Sequence, residues 1–156
     1  MMRGRQEEAI RIFRDLFEVE PISAITCNEV AWRLAIDTDP KLRPPGIALE
    51  FARKGVELAP EDGKAWNTLG VAQLRAGNWE ESIKALQKSM DLRKGGDSSD
   101  WFFLAMAHWH LGNKDEARRW FDQAVGWMDK NQPENEELRR FRAEAAELLG
   151  LKEKKE

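Results

Sequence analysis

The two histidines, His108 and His110, are the residue type most often used to hold a metal or to move a proton near neutral pH. They lie two positions apart in a segment of helical periodicity. Their side chains therefore point about 200° apart and cannot share a metal there. His108 reads as a packed residue and His110 as a surface or groove residue. The single cysteine, Cys27, has no nearby His or Lys to lower its pKa, and its position suits a small buried hydrophobe. Asp37 and Asp39 resemble the start of a calcium loop, but the glycine and closing glutamate are absent and Pro40 follows at once. Gly63 and Lys64 lack the partner glycine of a phosphate loop, because Leu58 stands five positions earlier. The remaining carboxylates alternate with Arg and Lys at helical offsets, which fits solvated helix faces better than an acid–base pair. The reading is a non-enzyme with no metal and no cofactor.

Composition narrows the class further. The chain has 156 residues, 42% hydrophobic and 34% charged, with a net charge of −3. That is enough for one compact core or a short repeat array, and neither disorder nor a nucleic-acid surface is favoured. One cysteine excludes an intrachain disulfide and a multi-cysteine zinc site, and fits a reducing compartment. The first eight residues carry no sustained apolar stretch, and no segment reaches the 18 apolar residues of a membrane span. The expectation is a soluble, cytoplasmic protein with neither nucleic acid nor membrane as partner. Seven Trp and seven Phe with no Tyr leave Trp to stand where Tyr often would.

The elements that position these residues repeat. Trp66, Asn67, Thr68, Leu69, Gly70 recurs in form 35 residues later as Trp101, Phe102, Phe103, Leu104, Ala105. The same offset relates Ala72, Gly77, Asn78 and Glu81 to Ala107, Gly112, Asn113 and Glu116, and Ile83 stands one residue out of step with Ala117. Apolar residues recur at helical spacing on either side of each glycine, so each unit is two helices. Gly77 and Gly112 suit a left-handed helix end. Asn78 and Asn113 suit the next N-cap, with Glu81 and Glu116 three positions on. Lys94 to Ser98 forms the break between the units.

These residues resemble the tetratricopeptide repeat, with Trp66, Leu69, Gly70, Gly77 and Trp79 matching one repeat. Trp101, Leu104, Ala105, Gly112, Ala117, Phe121 and Ala124 match the next. Gln73, Ser82, Ser89 and Lys94 depart from the pattern at tolerated positions. Upstream, Ala48, Ala52, Val56, Leu58 and Pro60 fit the second helix of an earlier repeat whose first helix runs over 24–36. The loop 37–45 between them is long, and Pro40, Pro44 and Pro45 bar a helix through it. Ala9, Phe13 and Pro21 fit a lone second helix over 5–20. After Pro133 an amphipathic segment with Leu138, Phe141, Ala145, Leu148 and Leu149 reads as a cap, its other face laced with opposite charges.

The resemblance implies an all-α fold, antiparallel helix pairs stacked as a short right-handed solenoid with a C-terminal capping helix. The expected plan is one domain over 1–150: a half-repeat helix at 5–20, repeats at 24–60, 62–96 and 98–131, and a cap at 134–149. Residues 151–156 form a frayed tail. Trp66 and Trp101 should fill the space between hairpins, and Trp120 and Trp127 should accept the cap. The chain is also similar to repeat modules appended to large bacterial signalling proteins.

The family resemblance further implies a concave groove lined by the first helices, where a peptide or protein segment binds. Carried over by position, the groove residues are Asn28 and Trp32; Asn67, Val71, Leu74 and Arg75; and Phe102, Met106, Trp109 and His110. Phe102, Met106 and Trp109 share one face and could anchor apolar side chains, while Asn67 and Arg75 could bond a backbone or carboxylate. If the superhelix curls tightly, the same residues are core. The clamp by which chaperone-binding members hold a C-terminal carboxylate is missing, since its positions carry Asn28, Trp32, Thr68, Ser99 and Phe103. The second reading is a structural scaffold or homodimer that uses the apolar edge Ile10, Phe13, Leu16 and Phe17 of the N-terminal helix.

Overall fold

The computed structural model describes residues 7–8, 11–15, 18 and 21–152, and those outside loops and turns are helical. The helices are α1 (Ala24–Ile36), α2 (Pro45–Leu58), α3 (Gly63–Arg75), α4 (Trp79–Leu92), α5 (Ser98–His110), α6 (Lys114–Asn131) and α7 (Glu136–Leu149). They pack as the hairpins α1/α2, α3/α4 and α5/α6, with α7 lying chiefly on α5. No helix among the described residues is long and apolar enough to cross a membrane.

Local chemistry explains the boundaries. Side chains of Ser23, Asp62 and Asn135 accept a backbone N–H in the first turn of α1, α3 and α7. Asp97 and Asp100 close a capping box on α5. α3 and α5 end at Gly77 (φ 79°) and Gly112 (φ 81°), where a left-handed turn costs a glycine little. In each turn two backbone bonds reach back to the helix: Asn78 N–H to Gln73 O and Gly77 N–H to Leu74 O, then Asn113 N–H to His108 O and Gly112 N–H to Trp109 O.

The expected capping by Asn78 and Asn113 needs correction. Both occupy the N-cap position, but neither side chain caps. The Asn78 amide instead donates to Gln73 Oε1 at 2.8 Å, because the tight turn brings the end of α3 within its reach. Glu81 and Glu116 likewise do not reach back; they pair with Lys84 and Arg119.

The loop 37–45 is folded around a short 3₁₀ turn at Pro40–Leu42. Asp37 accepts the N–H of Asp39, Asp39 accepts that of Lys41, and Arg43 Nε donates to Asp37 O at 2.6 Å. That last bond fixes Arg43. In the N-terminal segment Phe13 is half-buried and sits edge-on to Phe51 with ring centroids 6.0 Å apart. Ile10, Leu16 and Phe17 of the expected apolar edge lie outside the described residues.

Small residues let the hairpins close. A Cβ on Gly70 would stand 2.5 Å from Leu86 Cγ, so α3 and α4 approach where only glycine fits. Trp101 is buried and edge-on to Trp127, and Trp66 Nε1 donates to Pro60 O at 2.7 Å. Between the hairpins, the fully buried Asp100 accepts from Asn67 Nδ2 at 2.8 Å, from Asp97 N–H at 3.1 Å, and from Arg93. Ser89 Oγ lies 3.3 Å away. Burial pushes the Asp100 carboxyl above its ordinary range, against the pull of Arg93 and of these hydrogen bonds.

The array curls tightly enough for its ends to meet. Trp32 on α1 is edge-on to Phe103 on α5 (6.4 Å) and to Phe141 on α7 (5.9 Å), and Phe103 and Phe141 are 4.7 Å apart. The concave face is thus filled at its centre.

Candidate functional site

What stays open on that face is a cleft of about 580 Å³ between the C-terminal ends of α3 and α5, the start of α4, and α7. Leu74, Met106 and Leu148 give it apolar walls, and Arg75, Glu144 and Glu147 bring charge. At the rim, the rings of Trp79 and His110 stack 4.8 Å apart and 6° from parallel. Gly77 makes this edge possible. Its left-handed turn sends the chain directly into α4, so Trp79, the first residue of α4, lands beside the last residue of α5. Partial desolvation holds the His110 imidazole below its ordinary pKa, which favours a neutral aromatic face there at physiological pH.

Charge organises the inner wall. Arg75 donates both terminal nitrogens to the Glu144 carboxylate, one of them at 3.0 Å to Oε2, and its Nε donates to Ala35 O at 2.9 Å. Arg43, held by Asp37, comes within 3.5 Å of the same carboxylate. Arg140 donates to Ile36 O at 2.5 Å. Burial alone would raise the Glu144 pKa. The hydrogen bonds and charge of Arg75, with Arg43 and Arg140 behind, outweigh it and hold the carboxyl below its ordinary range.

The ten groove positions expected from sequence divide into three sets. Leu74, Arg75, Met106 and His110 line the cleft. Val71 and Phe102 are wholly buried, and Asn67 is consumed by Asp100. These three give a partner no surface, because Phe102 packs on Phe121 of α6 and Asn67 is turned to Asp100 between the hairpins. Asn28, Trp32 and Trp109 are half-buried; Trp32 packs on α5 and α7, and Lys114 covers the Trp109 ring at 5.1 Å.

Sequence reasoning missed Trp79, Arg43, Glu144, Glu147 and Leu148 as site residues. A signal existed for Glu144. It stands three residues after Phe141 and four before Leu148, on the border of the apolar stripe rather than opposite it, where an unpaired carboxylate would be costly. No comparable signal marks Arg43, whose place depends on how the loop folds.

Comparison with known proteins follows the repeat. The tetratricopeptide repeat family profile matches residues 61–130, which span α3 to α6 and both copies of the 35-residue offset. Over these residues the chain matches the tetratricopeptide repeat family. No curated protein matches its sequence significantly. Among solved structures, the first tetratricopeptide domain of the human RPAP3 protein is similar at a TM-score of 0.60 and 14% identity, over 84% of this chain and 95% of that one. The tetratricopeptide domain of Arabidopsis OM64 gives 0.56 at 15% identity, over 80% and 98%. MamA gives 0.61 at 18%, over 94% and 90%. At such identities the likeness is one of fold, an all-α stack of tetratricopeptide hairpins.

Proposed function

We propose that this chain is a non-catalytic protein-interaction module that takes a peptide or protein segment in the cleft between α3, α4, α5 and α7. The observation that carries the reading is the cleft itself. It is an open, apolar-walled site on a concave face that is filled at its centre, and the flat Trp79–His110 stack stands at its rim. Tetratricopeptide repeats are interaction modules in general. Aromatic residues with a polar edge, set beside a hydrophobic floor, are the kind of anchors that concentrate binding energy.

A capture experiment from the native source tests it. Proteins retained by the unaltered chain should be lost with Trp79→Ala combined with His110→Ala, and kept with Arg119→Ala, an exposed position on α6. Equal retention by the double variant and the unaltered chain would place binding elsewhere.

A further inference from the structure

Helix α7 lies on the concave face in the way a bound helix would. Phe141 enters between Trp32 and Phe103, with ring centroids 5.9 and 4.7 Å away. One turn later Glu144 meets Arg75 and Arg43. α7 packs on α5 and on the preceding α6, while the side chains that meet Phe141 and Glu144 come from α1, α3, α5 and the 37–45 loop, none of which adjoins α7 in sequence. Its chemistry is explicit: an aromatic box and a guanidinium clamp, spaced to fit an aromatic and a carboxylate at i and i+3 of a helix.

The clamp holds more positive charge than α7 neutralises. Two guanidiniums from outside α7, Arg43 and Arg75, face the single Glu144 carboxylate; Asp37 also acts on Arg43, and Arg140 is α7's own and bonds Ile36 O. Burial lowers the Arg43 pKa first, and the like charge of Arg75 lowers it further. Two partly buried guanidiniums favour a carboxylate at this point, whichever helix presents it. The open cleft leads to this point, since Arg75 and Glu144 form part of its wall.

Resting on the binding reading above, we infer that the concave face recognises an acidic amphipathic helix of a partner that carries an aromatic residue and a carboxylate one turn apart, and that α7 is its intramolecular competitor. The partner's carboxylate enters at Arg75 through the cleft and displaces Glu144. Its aromatic side chain then replaces Phe141 between Trp32 and Phe103. A tethered competitor acts at high effective concentration, so the seat's apparent affinity is its intrinsic affinity reduced by the fraction of molecules with α7 released. Loosening α7 without altering the seat must therefore tighten binding in trans.

The test uses the full chain and a labelled peptide with the sequence of residues 134–151, followed by fluorescence anisotropy. Two variants loosen α7 from its own side: Glu144→Gln, and Arg140→Ala, which removes the bond to Ile36 O. Each should bind the peptide about tenfold more tightly than the unaltered chain. Peptides carrying Phe141→Ala or Glu144→Lys should lose that binding, and bound peptide should speed amide exchange within 136–149 of the chain. Three results overturn the inference: no peptide binding by either variant although its α7 exchanges faster than in the unaltered chain; equal binding of the three peptides; or dimerisation of both variants without peptide, which makes a second copy the occupant. If the peptide fails while the Trp79/His110 double variant still loses its native partner, the binding reading stands and only this inference falls.

Discussion

Glu144 shows how one side chain ties several elements together, because α3 and the 37–45 loop reach α7 through it. Glu144→Gln leaves Arg75 and Arg43 without their countercharge and should cost about 2 kcal/mol in a urea titration. The folded Glu144 carboxyl titrates below its unfolded value. Its contribution is therefore complete above about pH 4.3 and is lost as pH falls through the folded value. Asp100, raised by burial, acts in the opposite sense: its contribution is present at low pH and lost as pH rises through its folded value. Unfolding free energy measured against pH should accordingly lose an acid-side rise in Glu144→Gln. Asp100→Ala removes the acceptor shared by Arg93, Asn67 and Asp97, and should destabilise by about 1–3 kcal/mol in thermal unfolding, Arg93 keeping Asp97 as its partner. Little of this was readable beforehand. Asp100 and Arg93 are ordinary polar residues of a charged chain, and only the docking of α3 against α5 makes the first a buried hub.

The helices themselves were far more legible, because a repeat states its packing twice. The offset of 35 fixed the hairpin turns at Gly77 and Gly112, whose φ angles of 79° and 81° are what the glycines suggested. Where the reading failed, as at Asn78, the competing bond was to a neighbouring helix end rather than to the helix the residue begins. Gly70 offers a test at this scale. Alanine would improve helix propensity by about 1 kcal/mol, but its Cβ would meet Leu86 Cγ at 2.5 Å and Leu86 N at 3.2 Å. Overpacking should prevail, so Gly70→Ala should destabilise by about 1–3 kcal/mol, and adding Leu86→Ala should not restore the loss fully because the backbone contact remains. Chemical denaturation of the two variants checks both statements.

At the scale of the whole molecule, the curl of the array decides which side chains a partner could touch. Helical spacing placed Val71 and Phe102 on the same faces as Leu74 and Met106, and periodicity carries no information on superhelical closure. Closure comes from Trp32, Phe103 and Phe141, three aromatics far apart in sequence whose meeting depends on the summed rotations of successive hairpins. The result is a concave face closed at its centre by α7, with a cleft beside the Trp79–His110 stack. The most direct test of that account is hydrogen exchange of the full chain with and without the partner retained from its native source. Protection should rise at the cleft, over residues 74–80 and 106–111. Protection confined to the outer helices, within 81–92 and 114–131, would contradict it.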